Sequence, residues 1–429
     1  MLLARGLLGI LTLVGLAWLL SSDRRRFPWK IVIAGLALQW AVALVVLRTD
    51  AGEAVFDAIA RLVTTVLHGA DAGAAFVFGP LAGNDPAVGW SAIVGIKITT
   101  TIIIVAAISS IGYHYGVLQR AVAGMAWVMK RFMGLSGAES LAGAANVFFG
   151  QTEAPLLVQP YISGMTRSEL MALMTGGFAT VAAGVLAVYV DMLGGKDPAR
   201  SVAVARHLLT ASLMSAPAAF VMAKVMIPER EQPATAGRAS VSSQRETRSF
   251  IDAVTAGASQ GMKLAINVLA MLIAFIALIT IVDAVLTAVG RWSLIAPMVH
   301  SLGMKQLNLD SILGLIFSPV AWLIGVDGGD CRSFGGLLGK AMATNELIAY
   351  QSLAEMLRQG SMSKRSILMA MYCLCGFANF SSIGIQIGGI GGLAPDRRSD
   401  LVRLGPRAML GGAMGCWMTG CIAGVIAPP

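Results

Sequence analysis

The sequence predicts an all-α polytopic membrane protein with eight transmembrane helices, interfacial helices and two opposed re-entrant hairpins. Hydrophobic residues make up 56% of its 429 positions and charged residues only 13%. A soluble domain carries about 25% charged residues, so this chain has too few to cover a water-facing surface. Its apolar residues also gather in runs that approach or exceed the roughly 20 residues a helix needs to cross a bilayer.

The first run, Leu7–Leu20, ends at Ser21, Ser22 and Asp23 before Arg24, Arg25 and Arg26, with no clear small-x-small cleavage site. It reads as a retained span with its basic end in the cytoplasm. A second span covers Ile31–Leu47. From Val55 to Val66 the apolar residues Val55, Ile59, Leu62, Val63 and Val66 share one helical face, while Asp57, Arg61 and Thr65 interrupt the rest. That pattern predicts a helix lying on the membrane surface. Further spans are expected at Ile93–Ile111, Leu170–Tyr189, Leu208–Met226, Leu264–Val289, Ile367–Ile387 and Met409–Ile426.

Ile312–Val326 is apolar but contains Pro319. If it lies flat, Arg397, Arg398, Arg403 and Arg407 share a side with Arg24–Arg26, Lys130 and Arg131. The positive-inside bias favours that arrangement, which places both termini outside. The net charge of +9 therefore reads as membrane orientation rather than as a nucleic-acid surface. The polar linker Glu229–Arg248 divides the chain in two. The five cysteines lie in or beside apolar segments with no metal spacing, and read as small buried residues.

The two halves echo each other. The first runs GQTEAPL (Gly150–Leu156), MTRSEL (Met165–Leu170) and GFATVAAG (Gly177–Gly184). The second runs TNELIAY (Thr344–Tyr350), MSKRSI (Met362–Ile367) and GFANFSSI (Gly376–Ile383). In each, a Glu interrupts an apolar hairpin, a basic turn follows, and a span opens with Gly-Phe-Ala and a polar residue. Inverted repeats of this kind point to a transport site at the bilayer midplane. Two hairpins entering from opposite faces would bring Glu153 and Glu346 together there. A carboxylate at the centre of a membrane helix costs about 2.5–3.5 kcal/mol, so a pair at matching positions implies function.

At these residues the chain resembles the concentrative nucleoside transporter family. The resemblance covers ESLAGAANVFFGQTEAPLLV (Glu139–Val158), MTGGFATVAAGV (Met174–Val185), HLLTASLMSAPAA (His207–Ala219), GASQGMKLAINVLAMLIAFIAL (Gly257–Leu278), NELIAY and CGFANFSSIGIQIGG (Cys375–Gly389). It implies a homotrimer in which each protomer has a transport domain moving like an elevator on a scaffold domain. The corresponding division is 1–90 for the N-terminal scaffold and interfacial helices, 91–228 for the first repeat, 229–256 for a cytoplasmic linker and 257–429 for the second repeat.

The same resemblance implies the ligands. Gln151, Thr152, Glu153 and Val185 would hold the base, and Gly150 would allow close backbone approach. Glu346, Asn379 and Ser382 would hold the ribose, with Phe377 packing nearby. Uridine, cytidine and adenosine are the substrate class. A sodium site would comprise the side-chain oxygens of Asn146 and Thr180 and the carbonyls of Phe149 and Val181. Four oxygens suit a hard cation, which favours Na⁺ over H⁺ as the coupling ion. Lys97 keeps the family's polar position, whereas Asp283 stands where Asn is common.

The expected activity is cation-coupled uptake through a multi-pass plasma membrane protein (the inner membrane in a Gram-negative cell). An intramembrane hydrolase would need HExxH, GxSxG or a nearby histidine, and none is visible. A passive channel fits broken hairpins around a binding pocket less well than alternating access does.

Overall fold

The computed structural model describes residues 2–82, 94–195, 197–235, 247–302, 304 and 306–426. Among them the fold is entirely helical. The first half comprises α1 (Leu2–Leu19), α2 (Trp29–Arg48), α3 (Asp50–Phe78), α4 (Val94–His114) and α5 (Val117–Met133). A hairpin follows, with α6 (Gly137–Phe148) as one arm and the short helices α7 (Ala154–Leu157) and α8 (Gln159–Ile162) as the other. Next come α9 (Arg167–Ala179), α10 (Ala183–Gly194) and α11 (Pro198–Met226).

The second half repeats this order with α12 (Phe250–Gly290), α13 (Ala296–Ser301), α14 (Leu309–Ile324), the hairpin α15 (Cys331–Ala343) and α16 (Glu346–Gln359), then α17 (Lys364–Cys373), α18 (Phe380–Leu393) and α19 (Arg398–Ile426). Ile93, where a span was expected to start, and residues 236–246 of the linker lie outside the described residues.

The echo in the sequence is also an echo in packing. α5 packs on α6 as α14 packs on α15. α9 and α10 pack on α11 as α17 and α18 pack on α19. The two copies meet through α11 against α19 and α4 against α12. α1 and α2 seat on α11 and α19.

Two expected spans are interrupted. Leu170–Tyr189 becomes α9 and α10, separated at Thr180–Ala182, and Ile367–Ile387 becomes α17 and α18, separated at residues 374–379. Each starts from a side-chain cap. Thr166 and Glu169 form a reciprocal capping box on α9, and Ser363 accepts from the Ser366 N–H on α17. Such caps satisfy amide donors that a helix terminus leaves without intrahelical partners.

α3 differs from its expected form. The amphipathic stretch Val55–Val66 continues through Ala- and Gly-rich sequence to Phe78, so the helix and its following turn are long and apolar enough to cross a membrane. Seven helices or helix pairs meet that criterion among the described residues, by length and composition, and α3 is one of them. α14, at 16 residues, is about 24 Å long and falls short of a 30 Å hydrocarbon core. α12 has 41 residues and is far longer than the expected Leu264–Val289.

The hairpin base is held by a buried ion pair. Lys224 Nζ of α11 lies 2.6 Å from Glu139 Oε2 of α6, both side chains being almost fully enclosed. Lys224 also donates to Ser168 Oγ at 3.0 Å. Ser136 Oγ donates to Glu169 Oε1 at 2.5 Å, which ties the start of α6 to the start of α9. Buried charges are tolerated when paired and hydrogen-bonded in this way.

Candidate substrate and cation site

The tip of the first hairpin forms because α6 ends at Phe149, whose backbone is extended, and Pro155 then starts the short α7. Gln151 lies buried in that tip. Its Nε2 donates to Ser382 Oγ of α18 at 3.1 Å, and its Oε1 accepts from Gln386 Nε2 at 3.1 Å. Gln386 Nε2 also reaches the Met174 carbonyl of α9 at 3.1 Å.

In the second half, Asn379 caps α18 by accepting from the Ser382 N–H at 2.8 Å, while its Nδ2 donates to Glu346 Oε2 at 2.9 Å. Tyr189 of α10 donates its hydroxyl to Glu346 Oε1 at 3.1 Å. The Tyr189 ring stacks on Tyr350 with centroids 4.0 Å apart. A continuous polar chain therefore runs Tyr189–Glu346–Asn379–Ser382–Gln151–Gln386. It joins both hairpins and both interrupted helices, and all six residues are buried.

Close approach depends on glycine. A Cβ on Gly177 would lie 2.8 Å from Gln386 Nε2 and 3.0 Å from Gln151 Cβ. A Cβ on its counterpart Gly376 would lie 2.6 Å from the Phe178 carbonyl oxygen. The unwound segments cross there, and Cys416 Sγ lies 3.2 Å from both the Ala179 and the Cys375 carbonyl oxygens. The broken helices leave those carbonyls in need of donors. Cys416 is thus more than a small buried residue.

Asn146 is buried, yet neither its Oδ1 nor its Nδ2 has a hydrogen-bond partner. It lies against Gly176, where a Cβ would stand 2.9 Å from Asn146 Nδ2. One turn on, buried Thr180 donates its hydroxyl to the Gly176 carbonyl at 2.8 Å, which leaves its oxygen lone pairs available. Phe149 and Val181 lie in extended or unwound backbone beside the same junction, and both are buried. An orphaned amide oxygen, a hydroxyl and two non-helical carbonyls are a donor set that fits a hard cation.

The remaining expected residues divide. Thr152 and Glu153 are exposed at the hairpin tip, and Val185 is buried in α10. Gly150 is buried, with room for a Cβ only 3.2 Å from Ala182 Cβ. Phe377 is half-buried against the core. Glu153 does not join Glu346. It lines a cavity of about 280 Å³ with Phe149, Ala182, Tyr113 and Ser110, and with Gln260 of α12. Glu346 is held by Tyr189 and Asn379, whereas Glu153 follows the tight turn that returns its N–H to the Gly150 carbonyl. Sequence reasoning did not single out Gln386, Tyr189 or Gln260. The signal for Gln386 was available: a lone amide in an apolar run, one helical turn beyond Ser382.

Comparisons with known proteins identify the family. A family model described as the C-terminus of Na⁺-dependent nucleoside transporters matches residues 207–424. The corresponding N-terminal model matches 8–81, and one described as nucleoside recognition matches 95–196. An uncharacterized transporter of Haemophilus influenzae is 39% identical, covering 98% of this chain and 96% of that protein. Solute carrier family 28 member 3 of Rattus norvegicus is 37% identical over 97% of this chain and 58% of its own length. Sodium/nucleoside cotransporter 1 of Mus musculus is 34% identical over 98% of this chain and 63% of its own.

Among solved structures, CNTnw in an inward-facing, substrate-bound state superposes with a TM-score of 0.89 at 33% identity, covering 99% of this chain and 98% of that one. A variant of the same protein in an outward-facing state gives 0.90. The family is one of transporters and not of enzymes. This multi-pass membrane protein therefore belongs to the concentrative, Na⁺-dependent nucleoside transporter family.

Proposed function

We propose that the protein imports nucleosides by symport with Na⁺ and does so by an elevator movement. The observation that carries this reading is the buried chain from Glu346 to Gln151, which joins the two repeats through groups able to bind a neutral, hydroxyl-rich molecule. Gln151 and Thr152 can donate to and accept from a base edge, while Glu346, Asn379 and Ser382 suit ribose hydroxyls. Charge-assisted bonds to Glu346 would be roughly twice as strong as neutral ones. Glu153 faces the cavity between the hairpin tip, α4 and α12; in this reading it reaches the base from there, Val185 and Phe377 give the nucleoside apolar contacts, and Gly150 admits close backbone approach.

Asn146, Thr180 and the carbonyls of Phe149 and Val181 hold the coupling ion in this reading. One Na⁺ entering down 100 mV supplies about 2.3 kcal/mol. A tenfold gradient adds about 1.4 kcal/mol, and together they allow accumulation of several hundredfold. The body that moves contains the hairpins and broken helices, and α4 with α12 forms the frame, consistent with their extensive mutual packing. The assembly is a homotrimer in the plasma membrane with both termini external.

Proteoliposomes holding the purified protein test this directly. Radiolabelled uridine or adenosine should accumulate above equilibrium with an inward Na⁺ gradient and fall to background with choline, at both of two pH values. Uptake driven by a pH gradient alone would replace Na⁺ with H⁺. Flux that only reaches equilibrium would overturn symport.

A further inference from the structure

A second pocket, of about 490 Å³, lies at the base of the first hairpin and away from the polar chain. Its walls carry four guanidinium groups, those of Arg167, Arg230, Arg403 and Arg407. Arg167 is paired with Asp400 at 3.1 Å and Arg230 with Asp23 at 3.0 Å. Arg403 and Arg407 stand one turn apart on α19, are exposed, and have no ion pair among the described residues. Like charges at this spacing repel each other on a helix, so the pair favours a counter-ion between them and the opposite wall.

The acids in the pocket do not supply it. Glu229 is already engaged, accepting from Thr166 Oγ1 at 2.8 Å and lying 3.5 Å from buried Lys224. Glu231 remains as the single acid on the wall without a cationic partner among the described residues.

The pocket also lies at a level that suits a membrane headgroup. Ser22 lines it, and the chain just before Ser22 carries exposed Leu19 and Leu20. Trp18 and Trp29 flank this turn and are 39% and 67% exposed, and Trp18 Nε1 donates to the Arg24 carbonyl at 2.9 Å. Val402, next to Arg403, is 52% exposed. Tryptophan marks the membrane–water interface, and apolar surface just beneath a basic pocket suits acyl chains.

We propose that this pocket binds a phosphate-bearing anion, and that its source is the headgroup of an anionic phospholipid. Arg403 and Arg407 provide the charge, Arg167 and Arg230 frame it, and the linker residues 227–231 close one side. Such a ligand would tie the α1–α2 turn, α9, the linker and α19 together at the hairpin base.

The test is thermal stability of the full-length protein in detergent, titrated separately with phosphatidylglycerol, phosphatidylcholine and inorganic phosphate. Phosphatidylglycerol should raise the melting temperature and phosphatidylcholine should not. In the double variant Arg403→Gln/Arg407→Gln, the apparent affinity for phosphatidylglycerol should fall roughly 30-fold, the effect of removing two interfacial cations. Glu231→Gln should move it the opposite way, a gain that a misfolded variant would not give. Equal stabilisation by inorganic phosphate alone would overturn the headgroup as source. Stabilisation of the double variant by phosphatidylglycerol at wild-type affinity, or no response of the wild type to either anion, would overturn the site.

Discussion

Replacing Asn146 with Ala should change stability in opposite directions with and without sodium. The amide is buried and neither polar atom has a partner, so in the ion-free protein it is a net burden. An unsatisfied buried polar group costs about 1–3 kcal/mol. The cavity left by removing it costs about 1 kcal/mol for a group of this size. The sodium-free variant is therefore expected to be as stable as the wild type or more so. With Na⁺ present, the proposed site would lose one of its four oxygen ligands. If that contact is worth about 1.5–3 kcal/mol, as a bond to a charged partner is, sodium affinity falls about 10- to 150-fold. Thermal unfolding in NaCl and in choline chloride would then give curves that change order, and half-maximal uridine uptake would move to higher sodium. Destabilisation by the same amount in both salts, with unchanged sodium dependence, would refute the assignment of Asn146 to the ion.

Glu346→Gln keeps the shape but places an NH₂ where one oxygen now accepts from Asn379 Nδ2 or Tyr189 hydroxyl. Ribonucleoside uptake should fall at least tenfold, with deoxyribonucleosides affected less, and competition uptake assays would measure both. Gly177→Ala forces a Cβ against Gln386 and Gln151; overpacking of about 1–3 kcal/mol at the tip should depress uptake while the protein stays folded by circular dichroism. Cys416→Ala leaves the Ala179 and Cys375 carbonyls without their thiol neighbour and should lower the melting temperature. Cys416→Ser should restore most of that loss, because its hydroxyl can still donate.

Much of this molecule could be read from its residues because lipid leaves few choices. A run of apolar residues such as Ile31–Leu47 has to be a helix, and α2 is one from Trp29 to Arg48. The repeat was legible because GFAT and GFAN each follow a Glu and then a basic turn in the same order. The interruptions in α9–α10 and α17–α18 were harder to see. Thr180 and Asn379 mark them, but whether a polar residue bends back onto its own helix or caps a new one depends on what packs beside it. Asn379 caps α18, whereas Thr180 bonds back to Gly176. The different surroundings of Glu153 and Glu346 have the same origin. Its position in the repeat matches that of Glu346, but only Glu346 has a tyrosine and an asparagine waiting, and those come from distant segments. α3 exceeded its expected length because the residues beyond Val66 are mostly small, which weakens the amphipathic signal without ending the helix.

The two ends of the first hairpin treat buried polarity in opposite ways. At the base, Ser136 and Glu139 cap α6, Thr166 and Glu169 cap α9, Lys224 neutralises Glu139, and Thr235 from the linker accepts from the Gly137 and Ala138 amides. Beside the tip, both atoms of Asn146 and Gln386 Oε1 lack partners despite burial, while Ser140 Oγ in the first turn of α6 is also unpartnered. Native cores leave few such groups unpaired, so two buried amides left so beside the tip call for an explanation. The orphaned amide groups of Asn146 and Gln386 lie beside the hairpin tip and the interrupted helices, which matches an element anchored at its base and completed by ligands at its tip. An ion and a substrate that satisfy those atoms would stabilise the hairpin against both interrupted helices at once, which couples the binding of one to the binding of the other without any direct contact between them.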